Sequence, residues 1–271
     1  MKRVLVLKLG GELLEQPADL AVVANGIAAL ASRSALVVVH GGGKEIDAAL
    51  ATAGIPRQQV DGLRVTDART LEVVVAVLAG AINTRLVAAI RRAGAQPVGL
   101  TGADASVVTV RRATPIATVS GARIDLGLVG SPMNNGAPKL LIDLLGRGYV
   151  PVVACLGATR DGQLLNVNAD TLASHLASQL GARRLIIAGG TAGVFDKQGQ
   201  TIVLLDLEGI DALIGDGTAS AGMIAKLRAC RAALDAGVRE VAIVHGRDPK
   251  GLIEAAGTRI TMERVHVQRN G

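Results

Sequence analysis

The chain has 271 residues, 49% of them apolar, with a formal charge of +6 and only two aromatic side chains, Tyr149 and Phe195. That content suffices for a real core in one large domain or two lobes, and so few rings give a nucleic acid strand little to stack on. The basic residues are dispersed, approaching a patch only at Arg91-Arg92, Arg111-Arg112 and Arg183-Arg184, which read as solvated element ends rather than a nucleic-acid face.

Met1-Lys2-Arg3 opens the chain, and the apolar run behind it is too short for a signal-peptide core. Val4-Leu5-Val6-Leu7 reads as a buried strand that ends in Lys8-Leu9-Gly10-Gly11, and a helix is expected at 18–32. A second strand, 36–39, ends in His40-Gly41-Gly42-Gly43 before a helix at 44–53 that stops at Gly54 and Pro56. The stretch 67–92 is long and apolar at helical spacing, but its uncharged run, 73–82, falls far short of the roughly 20 residues of a membrane span. A strand at 97–100 follows, so parallel strands with right-handed crossovers are expected.

Between 106 and 128 the pattern changes to short β-branched runs at 107–110, 116–119 and 124–128, which suggest hairpins over one side of a site. A helix at 137–145, a strand at 150–155, a helix at 170–180 and a strand at 184–187 ending in Gly189-Gly190 continue the α/β pattern. The last elements are a short strand at 202–205, a helix at 221–236, a strand at 240–244 ending in His245-Gly246, and a strand near 259–261. The fold class expected is a three-layer α/β/α sandwich around a mainly parallel sheet, with two lobes sharing it, 1–180 and 181–271.

Glycine-ended strands that share one sheet edge bring backbone N–H donors around an anion. Neither the dinucleotide spacing nor a Walker-type sequence is present, since Ile46 breaks the first and no Gly-Lys-Ser/Thr exists. Lysine is scarce, with seven in the chain, and two stand in distinctive settings: Lys8 at the end of the first strand and Lys226 in Gly222-Met223-Ile224-Ala225-Lys226. Each could be an ordinary surface residue or part of a phosphate site. In Asn166-Val167-Asn168-Ala169-Asp170, Asn168 or Asp170 could cap the following helix, or Asp170 could hold the ammonium groups by charge-assisted hydrogen bonds. His40 reads as a structural residue of its turn. Cys155 and Cys230 are too few for a disulfide framework or a thiolate metal site and fit a reduced, cytoplasmic setting.

Lys8-Leu9-Gly10-Gly11, His40-Gly41-Gly42-Gly43, Asp61-Gly62-Leu63-Arg64-Val65-Thr66, Asp125-Leu126-Gly127-Leu128-Val129-Gly130, Asn166 to Asp170 and Gly222 to Lys226 follow one another in an order and spacing that resembles the amino acid kinase family, in its acetylglutamate branch. The resemblance covers nearly the whole chain and implies ATP-dependent phosphorylation of the γ-carboxylate of N-acetyl-L-glutamate, in arginine biosynthesis. It implies that Lys8 and Lys226 stabilise the phosphoryl charge and that Asp170 orients both. Gly10, Gly11 and Gly41 would bind phosphate, Gly42 and Gly43 the substrate end, Arg64 the substrate α-carboxylate, and Asn166 its acetylamino group. ATP would lie against Gly190, Thr191, Gly193, Phe195, Thr218 and Ser220, with Mg2+ carried on the ATP phosphates and no metal site in the protein.

The family usually carries aspartate where Gly190 stands, so contacts from that loop are expected to come from its backbone. The chain begins almost directly at its first strand, without the extra N-terminal helix of arginine-regulated hexameric members, so a homodimer that arginine does not inhibit is expected. Neither a nucleic-acid nor a membrane partner is expected. Two rivals remain at this point: a kinase for aminoadipate or glutamate on a carrier protein, and a non-catalytic ligand-binding member of the fold.

Overall fold

Val, Leu and Ile dominate eight segments that pair into one sheet: β1 (Val4–Leu9), β2 (Ala35–His40), β3 (Pro97–Thr101), β4 (Val150–Ala154), β5 (Arg184–Gly189), β6 (Leu204–Leu205), β7 (Glu240–His245) and β8 (Gly257–Ile260). The computed structural model describes residues 3–60, 62–117 and 123–263. Across the sheet the order is β6-β8-β7-β5-β1-β2-β4-β3. The six strands from β7 to β3 are mutually parallel, whereas β8 runs antiparallel to β7 and parallel to β6. Continuous apolar runs suit strands covered on both faces, and β1 is buried from Leu5 to Leu9.

The helices are α1 (Pro17–Arg33), α2 (Gly43–Thr52), α3 (Ala68–Arg92), α4 (Lys139–Gly146), α5 (Ala169–Gln179), α6 (Leu207–Gly215), α7 (Ala221–Asp235) and α8 (Pro249–Glu254). Helix α1 packs on α3 and α8, and α5 packs on α7 and on β1, giving the α/β/α arrangement expected. Helices α6 and α8 were not among the expected elements, although Asp206 and Asp248 cap them and Pro249 opens α8.

Helix α3 starts at Asp67, whose side chain accepts from Thr70 N–H at 2.7 Å, and runs without a break through a π-helical segment, Ala76–Ile82. By length and composition alone it could cross a membrane, which corrects the expectation drawn from 73–82. Its residues Thr70, Val74, Leu78, Ile82, Leu86 and Ile90 form a buried stripe, and it packs on α1, β3 and β4.

The hairpin region is a set of short ribbons. Val110–Arg112 pairs with Gly130–Pro132, Ile116–Ala117 with Arg123–Ile124, and Leu156–Ala158 with Leu164–Asn166. Of the expected strand at 107–110 only Val110 joins a ribbon and Thr109 makes a single bridge to Ala158, because a turn with positive φ at Ala105 and Ser106 precedes them. The expected strand at 124–128 likewise ends at Ile124. Asp61, Thr118 and Val119, which belong to sequence motifs noted above, lie outside the described residues.

At the end of β2, His40 is fully buried. Its Nδ1 lies 3.2 Å from the Gly41 carbonyl, to which it donates, and its Nε2 accepts from Asn83 Nδ2 at 3.1 Å. Asn83 donates also to the Val152 carbonyl at 2.9 Å, so one amide ties α3 to β2 and β4. Burial, with the Arg85 charge adding to it, pushes His40 down to about 4 against the opposing Gly41 hydrogen bond. An unfolded histidine takes its proton near pH 6.5, so this site contributes stability that is complete above that pH and is lost as pH falls toward 4. The contribution is about 3 kcal/mol. Denaturant unfolding at pH 7 and pH 4.5 measures it: the acid loss is expected to be clearly smaller in His40→Asn than in the unmodified chain.

Candidate active site

The chain leaves β1 for β2 on one side and, after β4, crosses to β5 on the other side of β1. In such a sheet the crevice beyond the carboxyl ends of the two strands flanking the switch, here β1 and β5, is where ligands bind. Gly10-Gly11 follow β1, Gly41 to Gly43 follow β2, Gly190 follows β5 and Gly246 follows β7. The sequence-predicted glycine turns therefore share one edge.

Their N–H groups do not all serve an anion. Gly10 N–H donates to Ala188 O at 2.9 Å and Gly41 N–H to Leu9 O at 3.1 Å, so both extend the sheet. The N–H groups of Gly10 and Gly41 are thus taken within the sheet, and what these two glycines offer the crevice is backbone without a side chain. Gly11, Gly42 and Gly43 stand at helix starts, where N–H groups have no partner within the helix. A Cβ on Gly11 would lie 2.7 Å from Gly42 Cα, so the two turns can meet only because Gly11 has none.

Lys8 belongs to β1 and Asp170 to the first turn of α5. Asn168 caps that helix, accepting from Thr171 N–H at 3.0 Å, which leaves Asp170 free for another role. The Lys8 ammonium lies 2.8 Å from Asp170 Oδ1, with side chains only 6% and 8% exposed. Burial works against the charge on Lys8, but Asp170 more than offsets it and the ammonium is held above its ordinary range. Burial works against the Asp170 charge as well, and Lys8 and Lys226 together hold the carboxyl below its ordinary range. Both partners stay ionised.

Lys226, in α7, is partly buried and makes no ion pair among the described residues. Burial, reinforced by the Lys8 charge, lowers its pKa, while Asp170 and Glu12 oppose the shift. A Cβ on Gly189 would lie 4.0 Å from Lys226 Cε, so the lysine stem passes the end of β5. Two ammonium groups and one carboxylate from distant parts of the chain therefore converge on the crevice. Cys155 and Cys230 lie near enough to be influenced by these charges, but burial pushes the Cys155 thiol up to about 12 and raises Cys230 as well, so neither is a thiolate nucleophile.

On the β2 side, Arg64 is 8% exposed. Its Nη2 donates to Asp47 Oδ1 at 2.6 Å and to the Gly43 carbonyl at 3.2 Å, and Arg57 holds the other Asp47 oxygen at 3.1 Å. Arg64 Nη1 is buried with no hydrogen-bond partner among the described residues. An unsatisfied buried guanidinium N–H is costly, and a carboxylate ligand would satisfy it. Asn166 lies on the same side: its Nδ2 donates to Thr66 Oγ1 at 3.3 Å, and the 126–129 segment bonds to both Thr66 and Asn166.

The expected nucleotide loop is less uniform. Thr191, Phe195 and Ser220 are exposed, and Gly190 N–H is taken up by Glu12 Oε1 at 3.0 Å. Gly193 is buried at φ 152, where a Cβ would run into Thr258, so packing alone requires glycine there. Thr218 donates its hydroxyl to Asp216 at 2.6 Å. Asp47, Arg57, Asn83 and Glu12 were not singled out from the sequence; Glu12 alone had a visible signal, its position directly after the first glycine pair. Among the described residues no three His, Cys, Asp or Glu side chains group to hold a metal ion.

Residues 3–245 match the amino acid kinase family. The chain is 44% identical over 260 residues to the acetylglutamate kinase of Sorangium cellulosum, covering 93% of this chain and 90% of the relative. It is 39% identical over 256 residues to that of Methanopyrus kandleri, covering 93% and 98%. A Streptococcus mutans protein of solved structure superposes with a TM-score of 0.80 at 27% identity, covering 97% of this chain and 100% of that one. N-acetylglutamate synthase from Neisseria gonorrhoeae, complexed with coenzyme A and N-acetyl-glutamate, superposes with a TM-score of 0.81 at 25% identity; 97% of this chain is covered, and it spans 60% of the synthase.

Proposed function

The chain belongs to the amino acid kinase family, and from that premise we propose that it transfers the γ-phosphoryl group of ATP to the γ-carboxylate of N-acetyl-L-glutamate, forming N-acetyl-L-glutamyl 5-phosphate for arginine biosynthesis. The observation that carries this reading is the buried Lys8–Asp170 pair beside Lys226 at the switch-point crevice. The acceptor carboxylate is ionised at neutral pH, so no general base is required. A carboxylate oxygen attacks the γ-phosphorus as the bond to the ADP oxygen breaks, and catalysis rests on alignment and charge neutralisation.

In this reading Lys8 and Lys226 neutralise the phosphoryl oxygens and Asp170 fixes both. The free N–H groups of Gly11, Gly42 and Gly43 cradle the moving group. Arg64 Nη1 receives the substrate α-carboxylate and Asn166 its acetylamino group. Gly190, Thr191, Gly193, Phe195, Thr218 and Ser220 form the ATP side, within a C-terminal lobe of 181–271, while 1–180 holds the acceptor. Magnesium arrives on the ATP phosphates as part of the substrate. The reading places the enzyme in the cytoplasm. We further infer a homodimer, since the exposed side of α3 presents Ala76, Gly80 and Ala81 with no charged residue between them, on the helix that packs against the edge strand β3; light scattering at the mass of two chains tests it.

Arg64→Ala is expected to raise KM for N-acetylglutamate roughly 30- to 100-fold, the scale of one charge-assisted hydrogen bond, while KM for ATP changes little. Steady-state kinetics with each substrate varied in turn checks this. ADP release with N-acetylglutamate, free glutamate and a carrier-bound acceptor compared at fixed MgATP tests the function itself: turnover confined to the carrier-bound acceptor would overturn it.

A further inference from the structure

Glu12 lies on the short 3-10 turn Gly11–Leu13 that follows β1, and its carboxylate occupies the crevice between β1 and β5. Oε1 accepts from Gly190 N–H at 3.0 Å. A side chain at Gly10 would collide with both carboxylate oxygens, and a Cβ on Gly189 would lie 3.2 Å from Oε1. The backbone that carries Glu12 is anchored separately: Arg247 Nη2 donates to the Glu12 carbonyl at 3.1 Å while Arg247 Nε holds Asp19 at 2.7 Å. Lys8 and Lys226 both feel the Glu12 charge, which favours their ammonium forms. A negative group of the chain itself thus sits among three glycines, one N–H donor and two ammonium groups, which are the surroundings a phosphate requires.

We propose that Glu12 sets the affinity for nucleotide by filling part of the phosphate seat, so that its carboxylate must leave Gly190 before the triphosphate can settle. This rests on ATP being the phosphoryl donor. Glu12 is only partly buried, so its side chain can turn toward solvent while Arg247 keeps its backbone in place. Two anions cannot share one seat without strong repulsion. The competing possibility, that Glu12 stays and ligates the magnesium carried by the nucleotide, predicts an effect of opposite sign.

The test is calorimetric titration of the full chain and its Glu12→Gln and Glu12→Ala variants with MgATP, with inorganic triphosphate and with adenosine. Glutamine keeps the shape and an acceptor for Gly190 but removes the charge. MgATP and triphosphate are expected to bind about tenfold more tightly to both variants, and adenosine, which carries no phosphate, equally to all three proteins. Unchanged binding of MgATP overturns the proposal, weaker binding assigns Glu12 to the magnesium, and adenosine shifting in step reduces the effect to a general rearrangement and overturns it too. If the unmodified chain and both variants bind no MgATP, the donor reading falls first and this inference with it; if all bind equally, only this inference falls.

Discussion

Lys226→Ala is expected to lower turnover by about 10^2- to 10^4-fold while both KM values change by less than about threefold. The ammonium acts on charge that develops as the phosphoryl group moves, so its loss is felt in the transition state more than in either bound substrate. It makes no ion pair among the described residues, so its removal strands no buried partner, and the melting temperature is expected to stay within about 2 °C. Its pKa is lowered by burial and by the Lys8 charge, so the alkaline fall in kcat is expected to begin below the ordinary lysine range. Steady-state kinetics across pH, with thermal denaturation of the same samples, separates the outcomes. A rise in KM equal to the fall in turnover would mean that Lys226 binds substrate uniformly and has no special part in transfer.

Asp170→Asn carries the largest stability effect. It leaves the Lys8 ammonium buried without its countercharge, a situation that costs about 3–5 kcal/mol and should lower the melting temperature by roughly 6–15 °C in a chain of this size. Turnover is expected to fall in parallel, since nothing then holds the Lys8 nitrogen at the crevice. Replacing both partners by apolar residues, Lys8→Met with Asp170→Leu, should restore most of the stability and none of the activity. The pH dependence follows from the two shifts. Asp170 is held low, so its contribution is complete above the ordinary carboxylate range and is lost as pH falls through its lowered folded pKa. Lys8 is held high, so its contribution is complete below the ordinary lysine range and is lost as pH rises through its raised folded pKa.

Much of the frame was legible in the sequence for one reason: buried parallel strands are continuous apolar runs, and here four of them stop at glycine or at a short polar step. That pattern gave β1, β2, β5 and β7 and placed Lys8 at a sheet edge. Helix α3 was legible in extent, but not in its π-helical segment, because the sequence around Gly80 is apolar on several sides and does not specify hydrogen-bond register. The paired segments of two or three residues, such as Leu204–Leu205 and Leu156–Ala158, are too short to show alternation; they exist because distant strands supply their partners.

The same limit applied within the site. Asn168 and Asp170 stand two residues apart and both suit a helix start, and only the fold divides them into a cap and a lysine partner. The spent N–H groups of Gly10 and Gly41 could not be foreseen, since strand pairing decides which glycine donors remain. Asp47 holds both Arg64 and Arg57 from a separate part of the chain, and no local spacing connects all three.

The most direct test of a carboxyl-phosphorylating site is to trap its product. The chain is incubated with ATP, magnesium, N-acetyl-L-glutamate and hydroxylamine, and the acyl hydroxamate is measured against ADP. Hydroxamate in step with ADP, both formed at least about a hundredfold more slowly in Lys226→Ala, is the expected result. ADP released with no hydroxamate, or no ADP at all with this acceptor, would contradict it.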